Sequence, residues 1–329
     1  MSKRYLVTGG CGFIGSHLAE ALVRDGSQVT VLDNLSSGRT ENLPEGAKLI
    51  VGDIRNRSDV MEAARDCDGI FHLAAIASVP KCTQEWHASH EVNLSASVGL
   101  FELATERDIP VVYASSSAIY GDVDTTPIGE DTPKQPISAY GVDKYGMELH
   151  AFAGARTRGL RSFGLRFFNI YGPRQDPTSP YSGVIAVFMR NAQESRPIVV
   201  HGDGGQIRDF VYVTDAVKAV RLAMAELEVD SEPTAQVSNV CTGRPTSIRQ
   251  LADTVTNLIR PGLEITTSAA RAGDILKSIG NPSRLQSLLG FTPSTLLADG
   301  LGRMIAPAPA GSGLDATRQI STAEPASAL

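Results

Sequence analysis

A glycine-rich segment between an apolar run and an amphipathic run constrains the fold more than any other feature. Residues 9–15, GGCGFIG, follow the apolar run 4–8 and open a segment of helical apolar spacing at 13–24. A side chain at Gly12 would keep the backbone away from a pyrophosphate, and one at Gly15 would push the helix off the sheet. The N–H groups at the start of the helix would face the phosphates. This context predicts a βαβ unit that binds a dinucleotide.

The same alternation of short β-branched runs and longer helical segments continues to about residue 170. The predicted strands are residues 4–8, 28–33, 48–51, 69–73, 110–114 and 162–167. The predicted helices are residues 13–24, 58–65, 91–107 and 138–158. Strands that alternate with helices predict a parallel sheet covered by helices. The fold class is therefore expected to be α/β, with a doubly wound Rossmann-type parallel sheet.

The length of 329 residues leaves room for about two compact units. We assign residues 1–170 to a dinucleotide-binding domain that also carries the catalytic residues. Short strands near 198–200 and 237–240 and helices near 213–225 and 248–258 predict a smaller C-terminal α/β substrate-binding domain over 171–305, with chain crossings back to the first. Residues 306–329 turn to Ala, Pro, Ser, Gly and Thr, which predicts a disordered tail.

Charge and cysteine content restrict the partners and the compartment. The net charge of −6, from 36 acidic and 30 basic residues, gives no dominant basic surface, so nucleic acid is not expected as a partner. Cys11, Cys67, Cys82 and Cys241 show no C-x-x-C spacing, so neither a disulfide framework nor a zinc site is expected. No apolar run reaches the roughly 18 residues of a membrane span, and no signal-peptide stretch is visible. We expect a cytoplasmic protein without a membrane partner.

Asp33 ends the second predicted strand and favours one dinucleotide over another. A carboxylate there can accept hydrogen bonds from an adenosine ribose and would repel a 2′-phosphate, which favours NAD over NADP. Arg39 is close in sequence and works against that preference. Asp53 and Ile54 follow the third strand and could meet the adenine, although an ordinary loop aspartate would look the same.

Tyr140 and Lys144 lie one helical turn apart, so they share one face of a helix. The serines at 115–117 end the fifth strand, at the edge where open α/β sheets bind ligands. A phenol has a pKa of about 10, so a tyrosine base needs a neighbouring ammonium and a cationic nicotinamide to favour its anion. Ser116 would hydrogen-bond the oxygen that loses its proton. The alternative is a surface Tyr/Lys pair beside a serine cap.

His87, His90 and Glu91 have a helical spacing that could bind a metal on one face. No further ligand group is evident nearby, and the chemistry expected of Tyr140 needs no Lewis acid. We therefore predict no metal site.

These motifs together resemble the extended short-chain dehydrogenase/reductase family, in its nucleotide-sugar epimerase/dehydratase branch. The resemblance runs from Arg4 to about Leu301. Its motifs are the loop 9–15, HLAA at 72–75, SSSAIYG at 115–121, YGVDK at 140–144, RFFNIYGPR at 166–174, GDG at 202–204, RDF at 208–210 and RAGD at 271–274.

The resemblance implies a set of site residues. The catalytic residues would be Ser116, Tyr140 and Lys144. NAD would contact Gly9, Gly12, Phe13, Ile14, Gly15, Asp33, Asn34, Asp53, Ile54, Leu73, Ala74, Ala75, Tyr140 and Lys144. The nucleotide sugar would contact Ser78, Ser116, Ser117, Asn169, Val184, Arg208, Arg271, Asp274 and Ser278. Two arginines suit a pyrophosphate, because each can form bidentate charge-assisted hydrogen bonds.

The same resemblance bears on the reaction. Related 4,6-dehydratases carry an Asp-Glu pair after the catalytic Ser or Thr, and related decarboxylases carry a glutamate there. Ser117 and Ala118 stand at these positions here and cannot act as carboxyl acids. What remains is reversible 4-epimerisation of a UDP-hexose. The alternatives are a 4,6-dehydratase or other 4-keto-sugar enzyme, and a non-catalytic NAD-binding sensor, although sensors commonly lose the tyrosine or lysine.

Two further expectations concern the partner subunit and the sugar. The family implies a homodimer joined through the helix of Tyr140 and the helix at 91–107, where Leu94, Val98 and Phe101 spread over more than one face. The family's variable sugar-pocket wall falls at Ser278, just after the RAGD motif. A small residue there accompanies acceptance of N-acetylated sugars, so UDP-N-acetylglucosamine and UDP-N-acetylgalactosamine are expected beside UDP-glucose and UDP-galactose.

Overall fold

A computed structural model describes residues 2–176, 183–229, 231–270 and 274–305. Its strands are β1 (Arg4–Thr8), β2 (Gln28–Asp33), β3 (Lys48–Val51), β4 (Gly69–His72), β5 (Val111–Ser116), β6 (Arg161–Phe167), β7 (Asn169–Tyr171), β8 (Ile198–His201), β9 (Ile207–Arg208), β10 (Phe210–Tyr212), β11 (Thr234–Val240), β12 (Thr246–Ser247), β13 (Ile265–Ser268) and β14 (Lys277–Ser278). Its helices are α1 (Phe13–Arg24), α2 (Arg57–Ala63), α3 (Val79–Gln84), α4 (Trp86–His90), α5 (Ala96–Glu106), α6 (Ala139–Arg158), α7 (Val184–Gln193), α8 (Val213–Val229), α9 (Ile248–Ile259), α10 (Ser283–Leu289) and α11 (Leu297–Ile305).

The largest sheet has seven strands in the order β11-β6-β5-β4-β1-β2-β3, and every neighbouring pair is parallel. The prediction of an α/β fold with a parallel Rossmann-type sheet is confirmed. The chain runs outward in opposite directions from β1, so the order reverses between β1 and β4. Open α/β sheets bind ligands beside such a reversal, at the carboxyl ends of the strands.

Successive side chains along each strand point to opposite faces of the sheet, so each strand contributes residues to a hydrophobic core on both faces. Tyr5 and Val7 of β1 belong to the core beneath α1 and α8, and Leu6 belongs to the core beneath α2, α5 and α6. Strands that are buried on both faces contain continuous apolar runs, here residues 5–7 of β1 and 111–114 of β5. The layers of helix, sheet and helix leave the carboxyl edge of the sheet as the open end.

Strand β11 shows where the sequence-based reading of the second half was incomplete. Its last four residues were expected among the strands of the smaller domain, but β11 pairs with β6 along its whole length in the main sheet. Helix α8, just before it, packs against α1. After residue 170 the chain therefore returns to the main sheet and its helical layer with one helix, α8, and one strand, β11.

The region between β4 and β5 also differs from the prediction. A single helix was expected at 91–107, whereas the structure has α3, α4, a π-helical turn at Glu91–Ser95 and then α5. Pro80 lies in the first turn of α3, where a missing N–H costs nothing. These helices are too short to show an amphipathic period, so the pattern missed α3 and α4.

Besides the main sheet, the described residues form three small sheets. They pair β10 with β7, β13 with β8, and β12 and β14 with β9. Within the described ranges, no helix has the length and apolar character required to cross a membrane. The predicted tail at 306–329 lies outside the described residues.

Candidate active site

The glycine segment forms a tight turn over the end of β1. Gly9 has φ +70°, a backbone conformation that residues with a side chain rarely adopt. A Cβ at this position would also lie only 2.8 Å from the main chain of Ala74. A Cβ on Gly15 would overlap the carbonyl oxygen of Gly9. Only glycine at these two positions lets the turn, the helix and the loop after β4 approach this closely.

Gly12 opens the N-terminus of α1 towards the cleft. A Cβ on Gly12 would meet only the carbonyl oxygen of Gly9, at 3.2 Å, so the space beyond it belongs to the cleft. Gly12 is the N-cap, and no side chain among the described residues caps this helix. The first amides of α1 are thus presented as a phosphate-binding end, and the cradle fits a dinucleotide pyrophosphate.

A cleft of about 670 Å³ lies over the carboxyl ends of the strands. It is lined by all the residues expected to contact NAD, and by Ser116 and Asn169. The predicted site residues that line the cleft are Gly9, Gly12, Phe13, Ile14, Gly15, Asp33, Asn34, Asp53, Ile54, Leu73, Ala74, Ala75, Ser116, Tyr140, Lys144 and Asn169. The structure thus brings together the predicted cofactor residues and the predicted catalytic residues in one cavity.

Asp33 is buried and also braces the glycine turn. Its carboxylate accepts hydrogen bonds from the backbone N–H groups of Cys11, at 2.9 Å, and Leu35, at 2.8 Å. A carboxylate has about four acceptor sites, so capacity remains for a ribose hydroxyl. Arg39 is exposed and forms an ion pair with Asp176 at 3.5 Å.

Asp53 lines the cleft as a charged loop residue. Arg55 donates two hydrogen bonds to its carboxylate, at 3.0 and 2.7 Å, and Asn34 contacts it at 3.4 Å. The hydrogen bonding from the Arg55 side chain is the main cause that lowers the pKa of Asp53, to about 2, and the contact with Asn34 acts in the same direction. Asp53 therefore carries a full negative charge over the working range of pH.

The segment 73–75 is held by a buried histidine, His72, which begins the HLAA motif but was assigned no role from the sequence. The Thr8 hydroxyl accepts from the backbone N–H groups of Leu73 and Ala74, each at 3.2 Å. His72 lies 2.8 Å from the Thr8 oxygen and 2.9 Å from the Ser97 oxygen. Burial lowers the pKa of His72 to about 3, so the ring stays neutral and acts as a fixed link.

Ser116, Tyr140 and Lys144 line the same cleft. Ser138 caps α6, since its hydroxyl accepts from the N–H of Gly141 at 3.1 Å, and this places Tyr140 in the first turn. The Lys144 ammonium donates to the carbonyl oxygen of Ala114 in β5 at 2.8 Å, and lies 5.8 Å from the centre of the Tyr140 ring. The Ser116 hydroxyl accepts from the N–H of Ala118 at 3.1 Å, so its hydrogen can be donated towards the tyrosine.

Burial dominates the electrostatics of these groups. It raises the pKa of Tyr140 to about 12, and the hydrogen bond with Ser116 acts in the opposite direction. It lowers the pKa of Lys144 to about 8, and Asp143 acts in the opposite direction. The sequence predicts that neighbouring positive charge favours the anion of Tyr140. Within the protein alone, the loss of solvation outweighs the hydrogen bond with Ser116, and the pKa of Tyr140 rises.

The residues expected to hold the nucleotide sugar lie partly outside this cleft. Arg208 of β9 donates to Asp274 at 2.6 Å and to the carbonyl oxygen of Ile275 at 2.7 Å, and Ser278 pairs with Arg208 in the neighbouring strand. The predicted positions that do not line the cleft are Ser78, Ser117, Val184, Arg208, Asp274 and Ser278. Arg271 lies outside the described residues.

Three of these positions have other contacts or neighbours. The Ser78 hydroxyl caps α3 by accepting from the N–H of Lys81 at 3.2 Å, although Ala77 and Lys81 do line the cleft. Ser117 begins a 3₁₀ turn directly after β5. Val184 is the first residue of α7, next to Gly183, which lines the cleft. Sequence position alone thus placed these residues within about one residue of the wall.

The histidines considered for a metal have other partners. His90 Nδ1 lies 2.8 Å from Asp143 Oδ1, and His87 lies 3.9 Å from Glu91. Across the described part of the chain, no group of three or more His, Cys, Asp or Glu side chains could hold a metal ion. The His90–Asp143 contact joins residues far apart in sequence, and no local pattern could have revealed it.

A buried ion pair fixes α6 against β6. Arg166 donates to both carboxylate oxygens of Glu148, at 2.9 and 2.7 Å, and Ser115 donates to the same carboxylate at 2.5 Å. Arg166 also donates to the Tyr120 hydroxyl at 2.8 Å. Since Glu148 lies one turn beyond Lys144 and Ser115 precedes Ser116, this network aligns the helix and the strand that carry the three predicted catalytic side chains.

The chain is similar to known proteins over most of its length. A UDP-glucose 4-epimerase from Mycolicibacterium smegmatis is 33% identical, covering 92% of this chain and 97% of that protein. The crystal structure of UDP-glucose 4-epimerase from Thermotoga maritima, with UDP-glucose, is 36% identical with a TM-score of 0.86. The UDP-N-acetylglucosamine 4-epimerase from Methanobrevibacter ruminantium, in complex with UDP-N-acetylmuramic acid, is 36% identical with a TM-score of 0.87. Each structural match covers 92% of this chain and 97% of the other.

A family model provides the broader comparison. The model of the NAD dependent epimerase/dehydratase family matches residues 5–241, from β1 to just beyond β11. This range contains the glycine cradle, the segment 73–75 and the three predicted catalytic side chains. With this match and with relatives at more than 30% identity along nearly their whole length, the chain belongs to the NAD dependent epimerase/dehydratase family.

Proposed function

We propose that the protein catalyses the NAD-dependent 4-epimerisation of a UDP-hexose. The observation that carries this proposal is that Ser116, Tyr140 and Lys144 line the same cleft as a glycine cradle for a dinucleotide. A non-catalytic sensor has no need of this arrangement. Relatives named as 4-epimerases match the chain over nine-tenths of its length.

The chemistry needs a base at the sugar hydroxyl and a bound cofactor. NAD⁺, held by the glycine cradle, would supply a hydride acceptor for the oxidation, a hydride donor for the reduction and a positive charge in the cleft. Tyr140, as its phenolate, accepts the proton of the 4-hydroxyl group and later gives it back, while the Ser116 hydroxyl holds that oxygen in line. Because burial raises the pKa of Tyr140, positive charge beside the phenol is essential, and Lys144 is the protein's own source of it.

The residue after Ser117 argues against dehydration. Elimination needs a carboxyl acid next to the catalytic serine, whereas Ala118 presents a methyl group and uses its N–H to bond Ser116. Epimerisation requires no such acid, since the hydride returns to C4 and the proton returns to the oxygen on that carbon.

Purified protein tests the proposal directly. Incubation with UDP-glucose, with no added reductant or oxidant, should yield UDP-galactose until both sugars reach equilibrium. The Tyr140→Phe variant provides the matched blank. Absence of conversion of UDP-glucose, UDP-galactose and both N-acetylated sugars would exclude the function.

Asp33 should make NAD the preferred dinucleotide. Its buried carboxylate lines the cleft, and a 2′-phosphate bound beside it would place like charges together at a cost of more than the roughly 1.4 kcal/mol that corresponds to tenfold in affinity. We expect NAD to bind at least about tenfold more tightly than NADP, as measured by calorimetry on protein stripped of nucleotide. Equal affinities would mean that the exposed Arg39 outweighs Asp33.

We further propose that the sugar pocket admits the N-acetylated sugars. Ser278 lies outside the lining of the cleft but is small and half-buried beside Arg208, and Ala77 on the cleft wall is also small. Ser278→Tyr should lower kcat/KM for UDP-N-acetylglucosamine and UDP-N-acetylgalactosamine by about tenfold or more through steric exclusion. UDP-glucose and UDP-galactose serve as the internal control and should change little. If the wild type turns over neither N-acetylated sugar, the pocket argument fails and the epimerase proposal stands.

The proposed partner is a second copy of the chain, in a homodimer. Val142 and Leu149 lie two helical turns apart on α6 and are each 50% exposed, which is an apolar stripe suited to a helix of another subunit. The mass of the protein in solution decides this point. We also propose a cytoplasmic location, which agrees with four cysteines that are all unpaired.

A further inference from the structure

A buried carboxylate, that of Asp143, immediately precedes Lys144 in the sequence of α6. Asp143 is 1% exposed, and its Oδ1 lies 2.8 Å from His90 Nδ1. Its Oδ2 is also buried and has no hydrogen-bond partner among the residues that the structure describes. Burying a carboxylate with one hydrogen bond is costly, so a charge at this position needs an explanation.

The neighbours of Lys144 leave Asp143 as its counter-charge. The ammonium is buried and bonds a neutral carbonyl oxygen, that of Ala114. Cys82 of α3 and His72 of β4 also act on this site, but burial raises the pKa of the Cys82 thiol and lowers that of His72 to about 3, so both are neutral at neutral pH. On α6 itself, Glu148 is neutralised by Arg166 of β6. Within the described residues, the remaining negative charge next to the ammonium is that of Asp143.

His90 is placed to keep Asp143 ionised. An ionised carboxylate can only accept hydrogen bonds, so His90 must donate its Nδ1–H. The His90 side chain is 45% exposed, so its other nitrogen reaches solvent. Without this donor, both oxygens of the buried carboxylate would lack a hydrogen bond from the described residues.

We propose that Asp143, held as a carboxylate by His90, is the positioning residue that keeps Lys144 in its ammonium form beside Tyr140. Asp143 touches neither substrate nor cofactor in this scheme, and it acts only through the lysine. The proposal rests on the role of Lys144 in the proposed function. It assigns a purpose to a buried charge that packing alone would disfavour.

The isosteric variant Asp143→Asn tests the proposal through a pH profile. Lys144 loses its proton as the pH rises through its pKa of about 8, so turnover should fall on the basic side. Removing a negative charge next to the ammonium favours the neutral amine, so this basic limb should move to lower pH by about one unit or more. A merely structural role for Asp143 would lower turnover equally at every pH and leave the limb in place. That result would overturn the proposal.

Variants of the histidine test the second half of the proposal. His90→Ala removes the donor and should move the basic limb in the same direction as Asp143→Asn. His90→Asn keeps an N–H near the position of Nδ1 and should recover most of that shift. His87→Ala changes an exposed histidine on the same helix and is the matched control, with a wild-type profile expected. A His90→Ala profile identical to the wild type would remove His90 from the proposal.

A side-chain lysine NMR titration of the NAD-bound protein separates this proposal from the assignment of the reaction. The Lys144 signal is identified by its loss in Lys144→Met. Its titration should move to lower pH in Asp143→Asn whether or not the protein turns over a UDP-hexose. Inactivity with an intact NMR shift would refute the epimerase function alone. Turnover with an unshifted lysine would refute the role of Asp143 alone.

Discussion

Replacing Tyr140 by phenylalanine should lower the turnover of UDP-glucose by about 10²-fold or more and leave NAD bound. Only a hydroxyl is deleted, so the walls of the cleft stay in place, while the base that takes the proton of the sugar hydroxyl is lost. The Ser116 hydroxyl keeps its bond from the N–H of Ala118, so the strand end should not rearrange. Steady-state rates measure the loss of turnover, and the nucleotide content of the purified variant shows whether NAD stays bound.

Tyr145→Phe is the matched control for this variant. Tyr145 lies on the same helix and packs against the core, so its change tests what the loss of a hydroxyl from α6 does by itself. We expect near wild-type rates. A Tyr140→Phe variant that retains most of its activity would contradict the assignment of Tyr140 as the base, whereas loss of bound NAD would show that the phenol contributes to holding the cofactor.

The sequence predicted the fold from local patterns whose meaning is fixed by geometry. A glycine-rich segment between a strand and a helix is typical of a dinucleotide-binding βαβ unit. The elements β1, α1, β2 and β3 begin and end at the residues that the sequence pattern predicted. The parallel arrangement followed from alternating strands and helices. In a parallel sheet the carboxyl ends of all the strands lie at one edge, and the cleft lies over that edge. This is why all the predicted cofactor residues line one cavity.

What the sequence could not reveal depends on contacts between distant residues. The carboxylate of Asp143 meets His90, and Arg208 meets Asp274, through the folded topology rather than any spacing. Strand β11 joins the main sheet after a long excursion, and its composition does not show which sheet it will join. The pKa of Tyr140 likewise depends on how deeply α6 is buried, and burial was not visible in the motif.

Removing one partner of the Glu148–Arg166 pair should destabilise the protein strongly. Both side chains are almost fully buried, so Glu148→Gln leaves a guanidinium without its counter-charge in the core. Breaking a buried pair in this way costs about 3–5 kcal/mol. The pair Arg249–Asp253 is half-exposed and offers a matched control, since Asp253→Asn should cost less than about 1 kcal/mol. Urea unfolding of the three proteins measures the difference in the free energy of unfolding.

The double variant Glu148→Met/Arg166→Met shows what the pair contributes beyond the cost of an unpaired charge. Removing both charges leaves no buried ion, so the double variant should be more stable than the sum of the two single changes predicts. The same network anchors Ser115 and Tyr120, so their lost bonds should keep the double variant below the wild type. Because Glu148 holds α6 against the strand that ends in Ser116, turnover of the folded double variant should fall as well. Single and double variants of equal stability to the wild type would show that α6 is positioned by packing alone.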